Sequence, residues 1–199
     1  MNHLGHFYLS FEQEHLLVGN YLADFSLGKR YEKYPKAIQN GVLLHRFIDD
    51  YTDNHPFVIK SKARIAKKHG KYTPVVIDVF YDYLLATDWN LYSNEPLSTF
   101  ATKTYNQLDL FKDLFPEKLL LRFEHMKTHD WLSHYATDYG IERSLLGLSK
   151  RAKFKNKFDE AFLDLKQFEQ DFRDDFNQFF PQIIETCKDK IISLKSSTL

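Results

Sequence analysis

Apolar residues recur at helical spacing along almost the whole chain, and this periodicity constrains the fold more than any other feature. The apolar–polar alternation of a half-buried strand is nearly absent, and glycine is scarce, at 7 of 199 residues. The chain holds 18 Phe and 12 Tyr, so aromatic rings are expected to fill much of the core. The sequence therefore predicts a single compact all-α domain.

The chain divides into eight predicted helices, and proline marks several of the breaks between them. Thr73-Pro74 is typical of an N-cap followed by proline at the first helical position, and Pro96 and Pro116 mark further breaks. The predicted helices cover 12–28, 36–53, 57–69, 74–92, 96–112, 117–136, 139–151 and 156–195, the last with a break at Pro181. We expect the second and fourth of them to be central and adjacent, because both are largely apolar.

Charge and cysteine content exclude several classes of protein. Lys and Arg total 27, as do Asp and Glu, so the chain lacks the net basic charge of a non-specific nucleic-acid binder. The single cysteine, Cys187, excludes an intrachain disulfide and a cysteine-rich zinc site. Residues 1–6 lack a signal-peptide pattern, and no apolar run approaches the roughly 18 residues of a membrane span. We expect a cytoplasmic protein without a membrane or nucleic-acid partner.

A first candidate site lies on the predicted helix over 36–53. His45, Asp49 and Asp53 are spaced at i, i+4 and i+8 and therefore lie along one helix face. An imidazole and a carboxylate one turn apart can bind the same cation, and Gly41, one turn earlier, leaves room for something to approach. The alternative interpretation is a solvent-exposed His–Asp pair on the surface of the helix. These residues alone do not decide between the two interpretations.

A second candidate site lies on the most apolar predicted helix, which carries Asp78 and Asp82 one turn apart. Burying two unpaired carboxylates is costly, and like charges at this spacing repel each other. The segment itself contains no Lys, Arg or His. We therefore expect a cation from elsewhere, either a metal ion or a side chain such as Arg46.

The N-terminal segments add His6 and, one turn apart, Asn20 and Asp24. A frayed terminus or a surface role is the alternative for His6. The candidate metal ligands are His6, Asp24, His45, Asp49 and Asp82, with Asp78 and Asp53 in reserve. This mixture of imidazole and carboxylate suits Mn²⁺, Fe²⁺, Mg²⁺ or Zn²⁺ and disfavours a soft-metal site.

These blocks resemble the acyl carrier protein phosphodiesterase family, and the resemblance extends over essentially the whole chain. The matching blocks are Asn2-x-Leu4-x-His6, Gly19-Asn20-x-Leu22-Ala23-Asp24-Phe25, Gly41-x-x-x-His45-Arg46-x-Ile48-Asp49-x-x-Thr52-Asp53, Asp78-Val79-x-Tyr81-Asp82-x-x-Leu85, Asp130-Trp131-Leu132-x-x-Tyr135, Ile141-Glu142-x-x-Leu145-x-Gly147-Leu148 and Phe176-x-x-Phe179-Phe180-Pro181. One departure is Tyr83, where members of the family often have His.

The resemblance implies an HD-like helical bundle, since the family is regarded as a divergent relative of HD-type metal phosphohydrolases. It implies removal of 4′-phosphopantetheine from holo acyl carrier protein, a protein of fatty acid biosynthesis, with a divalent metal that is commonly Mn²⁺. One domain would span 1–199, with the metal site in 1–90 and the helices of 117–195 packed around it. The residues that match the family's metal-site positions are His6, Asp24, His45, Asp49 and Asp82.

The same resemblance implies roles in catalysis and docking. Arg46 is expected to bind the phosphate, His6 to act as the general acid, and Asp24 to belong to the catalytic set. An acidic carrier protein needs a basic docking surface, for which a solvated helix face is the alternative interpretation. The expected docking residues are Lys60, Lys62, Arg64, Lys67, Lys68 and Lys71, with the basic stretch 150–157 as the second choice.

Two rival functions stay open. One is another HD-like phosphohydrolase that acts on a nucleotide or a small phosphoester, which substrate profiling would distinguish. The other is a non-enzymatic helical interaction protein, which would leave Asp78 and Asp82 without an explanation. His129-Asp130 is the one literal His-Asp dipeptide in the chain, and we interpret it as incidental.

Overall fold

A computed structural model describes residues 1–25, 28 and 30–196, and these residues form helices, turns and loops without a β-strand. The prediction of an all-α protein is confirmed. The α-helices of the described residues are α1 (His3–Tyr8), α2 (Glu14–Ala23), α3 (Lys36–Asn54), α4 (Pro56–His69), α5 (Thr73–Thr87), α6 (Leu97–Asp109), α7 (Glu117–Thr128), α8 (Trp131–His134), α9 (Asp138–Arg151), α10 (Phe158–Gln167) and α11 (Glu169–Ser196).

Helix α5 is the central helix of the protein. Its apolar side chains, among them Ile77, Phe80 and Leu84, are fully buried, and it contacts α1, α4, α9, α10 and α11. Helix α3 packs chiefly against α2, α4 and α11, so the expected direct packing of α3 on α5 is minor. Helix α1 contacts both α2 and α5 and thereby links the α2–α3 pair to the helices around α5.

Helix α1 was not predicted, because its stabilisation comes from a distant part of the chain. Asn2 precedes the helix without a side-chain capping bond. Instead, the carboxylate of Asp82 accepts hydrogen bonds from the backbone N–H groups of Leu4 (2.7 Å) and Gly5 (3.1 Å). These groups are among the N-terminal donors that a helix cannot satisfy by itself. A carboxylate also interacts favourably with the positive end of the helix dipole.

The predicted break at Pro181 is wrong. Helix α11 is continuous through Pro181, and the break lies earlier, at Phe168. Proline removes one backbone hydrogen bond. The same helix buries Phe176, Phe179 and Ile183 completely, and burial of one such side chain contributes about 1.5–3 kcal/mol. The apolar face therefore outweighs the lost bond.

The first predicted helix, over 12–28, is longer than the helix in the structure. Helix α2 ends at Ala23, and positions 26 and 27 lie outside the described residues.

In the described part of the chain, no helix combines the length and the apolar character that crossing a lipid bilayer requires.

Candidate metal centre

Helices α2 and α3 cross at two glycines. A Cβ atom on Gly19 would lie 2.0 Å from the carbonyl oxygen of Ile38, and one on Gly41 would lie 2.4 Å from that of Leu16. No side chain fits at either position, so the two backbones meet directly. The room that Gly41 was expected to leave is thus occupied by α2, which brings Asn20 of α2 within hydrogen-bonding distance of His45 of α3.

His6, His45 and Asp49 converge beside this crossing. His6 Nε2 lies 3.1 Å from Asp49 Oδ1, and His45 Nε2 lies 3.2 Å from Asp49 Oδ2. The two imidazole rings stack with a centroid distance of 4.2 Å. One ligand atom from each side chain lies within 4.8 Å of the others, and among the described residues this is the one group of three or more possible ligands so arranged.

Asn20 holds both imidazoles. Its Oδ1 accepts from His6 Nδ1 (2.9 Å) and from His45 Nδ1 (2.8 Å). Its Nδ2 donates to the carbonyl oxygen of His6 (2.8 Å) and to Ser10 Oγ (3.2 Å), which fixes the orientation of the amide. Each histidine is therefore held with its proton on Nδ1 and with Nε2 directed towards Asp49. Such partners typically orient the histidine ligands of metal ions.

The Asn20–Asp24 spacing in the sequence did not predict that Asn20 belongs to the site. An asparagine followed by a carboxylate one turn later gives no indication that its amide binds two distant imidazoles. The signal available in the sequence was the position of Asn20 among the apolar residues of α2. In the structure Asn20 is 1% exposed. A buried amide in such a helix needs hydrogen-bond partners from other elements.

The arrangement of His6 and Asp49 favours a bound cation. Burial and the nearby His45 lower the pKa of His6 to about 4, although Asp49 opposes this shift. At neutral pH, His6 with its proton on Nδ1 presents the Nε2 lone pair to a carboxylate oxygen 3.1 Å away. The second carboxylate oxygen of Asp49 faces the Nε2 atom of His45 in the same way, at 3.2 Å. A cation between these acceptors relieves their repulsion, so the donor set fits a divalent metal.

Asp24 lies outside the three-residue group. Its carboxylate forms an ion pair with Arg122 of α7. Burial raises the pKa of Asp24, but the charges of His3, Arg122 and the two site histidines outweigh this effect and lower it. Asp24 is therefore an ionised neighbour of the cluster, and its pairing with Arg122 explains why its carboxylate is not directed to the same point.

Asp82 and Asp78 also lie outside the group, because other donors satisfy them. Asp82 accepts the two α1 backbone N–H groups, and Asp78 Oδ1 lies 2.8 Å from the amino group of Met1. Burial raises the pKa of Asp82 to about 7, against the opposing effects of the Met1 ammonium and the two backbone bonds. The compensating positive groups are thus supplied by the start of the chain rather than by Arg46.

Comparison with protein families decides the classification. The model of the family described as acyl carrier protein phosphodiesterase matches residues 1–183. The chain belongs to the acyl carrier protein phosphodiesterase family. This confirms the resemblance found in the sequence.

Relatives in this family are similar over nearly their full length. The acyl carrier protein phosphodiesterase of Serratia proteamaculans is 30% identical over 191 residues, which are 96% of this chain and 99% of the relative. The protein of the same name from Enterobacter sp. (strain 638) is 29% identical over the same shares. A relative from Escherichia coli is 28% identical over 193 residues, 96% of this chain and 100% of the relative. No solved structure matches the chain.

Two further residues singled out by the family resemblance contact other parts of the chain. Arg46 donates to the carbonyl oxygen of Gly28 (2.5 Å), and its guanidinium lies 4.7 Å from the ring centre of Tyr31. The hydroxyl of Tyr83 accepts from Lys166 Nζ (3.0 Å) of α10. In this phosphodiesterase family member, neither side chain belongs to the group formed by the two histidines and Asp49.

The basic stretch 60–71 is largely neutralised by other helices. Four of its six expected docking residues form ion pairs within the described chain, with carboxylates of α3, α10 and α11. Lys60 and Arg64 pair with the buried Asp175. Lys62 pairs with Asp53, Lys68 pairs with Glu160 and Asp164, and Lys71 lies over the ring of Phe154. Lys67 is exposed. The stretch thus offers little unpaired charge to a partner.

Proposed function

We propose that this protein hydrolyses the phosphodiester that joins 4′-phosphopantetheine to holo acyl carrier protein, releasing the apo protein, and that it needs a divalent metal. The relatives' shared name, acyl carrier protein phosphodiesterase, supports the substrate and the bond type. The convergence of His6, His45 and Asp49, held by Asn20, is the observation that carries the metal dependence.

His6 Nε2, His45 Nε2 and Asp49 would hold the metal, with Mn²⁺ as the first candidate and Mg²⁺, Fe²⁺ or Zn²⁺ as alternatives. A divalent ion supplies Lewis acidity towards a phosphoryl oxygen and towards the attacking water. The side chain of Asp49 is 49% exposed, so the centre is open to solvent and to a substrate on that side. Asp24 and Asp82 are not needed as ligands in this proposal.

The chain's own residues would fix the geometry before the substrate arrives. Asn20 keeps the protons of both imidazoles on Nδ1, which leaves the Nε2 atoms free as ligands. Since both nitrogens of His6 are then engaged, we no longer assign it the role of general acid. Arg46 is held by Gly28 and Tyr31, so we propose the guanidinium of Arg122, which pairs with Asp24, as the cation that binds the phosphate.

Mass spectrometry of holo acyl carrier protein after incubation with the enzyme and Mn²⁺ tests the proposal. We expect the mass to fall by that of the phosphopantetheine arm, and we expect chelation of the metal to prevent the loss. His15→Ala, which alters an exposed histidine outside the cluster, is the matched control and should retain activity. An intact arm after prolonged incubation with each of the four metals would exclude the proposed reaction.

A further inference from the structure

A cavity of about 770 Å³ lies among α7, α8 and α9. His3 of α1 forms part of its wall, one helical turn before His6. The ring of His3 also stacks against Trp131 of α8, with 6.3 Å between the ring centres. The cavity therefore reaches the same short helix that supplies a histidine to the candidate metal centre. Its volume lies within the usual range of small-molecule sites, about 300–1,000 Å³.

The Asp24–Arg122 pair connects the cavity to the metal centre. Arg122 lines the cavity, and its partner Asp24 ends α2 one turn after Asn20, which binds both imidazoles of the cluster. An anionic group that entered beside Arg122 would thus approach the end of α2 that carries Asn20. This connection to the residues around the cluster distinguishes the cavity from a surface pocket elsewhere on the molecule.

The cavity wall is strongly positive. Arg122, Arg143, Lys150 and Arg151 all line it, whereas Asp130 is the one carboxylate among its described lining residues. Arg143, Lys150 and Arg151 are exposed and form no ion pair with a described residue, in contrast to the paired cations of α4. Unpaired cations at the mouth of a cleft attract anionic partners and raise the rate of encounter.

Exposed apolar side chains lie among these cations. Leu121 is 65% exposed, Tyr139 62% and Leu146 43%, and all three line the cavity. A contiguous apolar patch with a charged rim is typical of a protein–protein interaction site. A free phosphate or another small anion would not need the apolar part, so the rim fits a protein partner that bears carboxylates.

Gly147 lines the cavity without projecting a side chain into it. It lies within α9, and a Cβ atom built on it meets no other atom within 4 Å. Glycine inside a helix is unfavourable relative to alanine, and neither backbone strain nor close helix packing explains it here. The empty space in front of Gly147 belongs to the cavity itself.

We infer that this cavity and its rim form the binding site for the carrier protein, with the phosphopantetheine arm inside the cavity and the carrier's acidic surface against Arg143, Lys150 and Arg151. Leu121, Tyr139 and Leu146 supply the apolar contact. The inference rests on the proposed function. It moves the docking surface from the stretch 60–71 to α7–α9, where part of the second basic stretch, 150–157, also lies.

Filling the cavity tests the position of the arm. Gly147→Trp should reduce kcat/KM for holo acyl carrier protein at least tenfold, because the indole occupies the space of the arm. Hydrolysis of bis(p-nitrophenyl) phosphate with Mn²⁺ should change less than twofold, since the cluster is untouched. Gly147→Ala is the matched control and should behave as wild type on both substrates. Equal activity of Gly147→Trp and Gly147→Ala on the carrier would overturn the inference.

Reversing charge tests the rim. Arg143→Glu with Lys150→Glu should lower kcat/KM for the carrier at least tenfold at low salt and reduce its salt dependence, with the small diester unaffected. Lys36→Glu with Lys67→Glu makes the same change in net charge at exposed positions outside the cavity and should have less than a twofold effect.

The outcomes separate the two proposals. If wild type cleaves the carrier and the Arg143/Lys150 variant cleaves it equally well, the docking site is wrong and the proposed function stands. If wild type hydrolyses the small diester with Mn²⁺ but neither cleaves nor binds holo acyl carrier protein in a calorimetric titration, both the substrate assignment and the docking site are wrong.

Discussion

The His6–His45–Asp49 cluster and the Asp78–Asp82 pair look alike in the sequence but differ in the groups that face them. Asp82 receives two backbone N–H groups and Asp78 lies against the Met1 ammonium, so both carboxylates are satisfied within the protein. Asp49 faces two Nε2 atoms whose rings already donate through Nδ1 to Asn20. The comparison teaches that convergent acceptors, rather than acidic spacing, distinguish a candidate metal centre from a helix anchor.

Removal of one imidazole should have the largest effect. We expect His45→Ala to reduce hydrolysis of holo acyl carrier protein to background, because one of the three proposed ligands is lost and Asn20 loses one of its two imidazole partners. The helical circular dichroism should persist, since His45 is not part of the apolar core. Full activity in this variant, measured beside His15→Ala, would exclude His45 from the centre.

Removal of the shared hydrogen-bond acceptor should have an intermediate effect. Asn20→Ala leaves all three proposed ligands in place but frees both imidazoles to rotate and to exchange tautomers. We expect the affinity for Mn²⁺ to fall about 10- to 100-fold, the usual consequence of losing such a partner. Calorimetric titration of the purified variant measures it, and an unchanged affinity would mean that Asn20 has only a structural role.

Removal of the charge on Asp82 should change stability rather than metal binding. The pKa of this group is raised from 3.8 to about 7, so the folded state binds an extra proton between these values. The contribution of Asp82 to the free energy of unfolding is therefore greatest below pH 4 and falls as the pH rises to 7, by at most about 4 kcal/mol.

Asp82→Asn should remove that pH dependence in the metal-free protein. Urea unfolding of wild type and variant at pH 5 and pH 8 measures the difference, and the variant should gain relative to wild type at the higher pH. The opposite sign would mean that the two α1 N–H groups and the Met1 ammonium outweigh the cost of burial.

The smallest effect on activity is expected from a substitution in α4. Lys67→Glu alters an exposed residue of the stretch 60–71, whose other cations are mostly paired within the protein. We expect less than a twofold change in kcat/KM for the carrier, measured at low salt where charge effects are greatest. A tenfold loss would restore the docking role that the sequence predicted for this stretch.

Much of the fold was predictable from the sequence, because helical periodicity and proline breaks are local signals. The i, i+4 spacing likewise identified His45 and Asp49 as a pair. Helix α1 and the role of Asn20 were not predictable, because each depends on hydrogen bonds to residues distant in the sequence. The pairing of Asp24 with Arg122 and the neutralisation of α4 were missed for the same reason, since charges along a sequence do not reveal their partners.

The most direct test of the metal centre is a titration of Mn²⁺ into metal-free wild type, Asp49→Asn and Asp82→Asn, followed by calorimetry. The account predicts saturable binding to wild type, binding of nearly equal affinity to Asp82→Asn, and no detectable binding to Asp49→Asn. Retained binding in Asp49→Asn together with loss in Asp82→Asn would contradict it and would place the metal at the helix that carries Asp78 and Asp82.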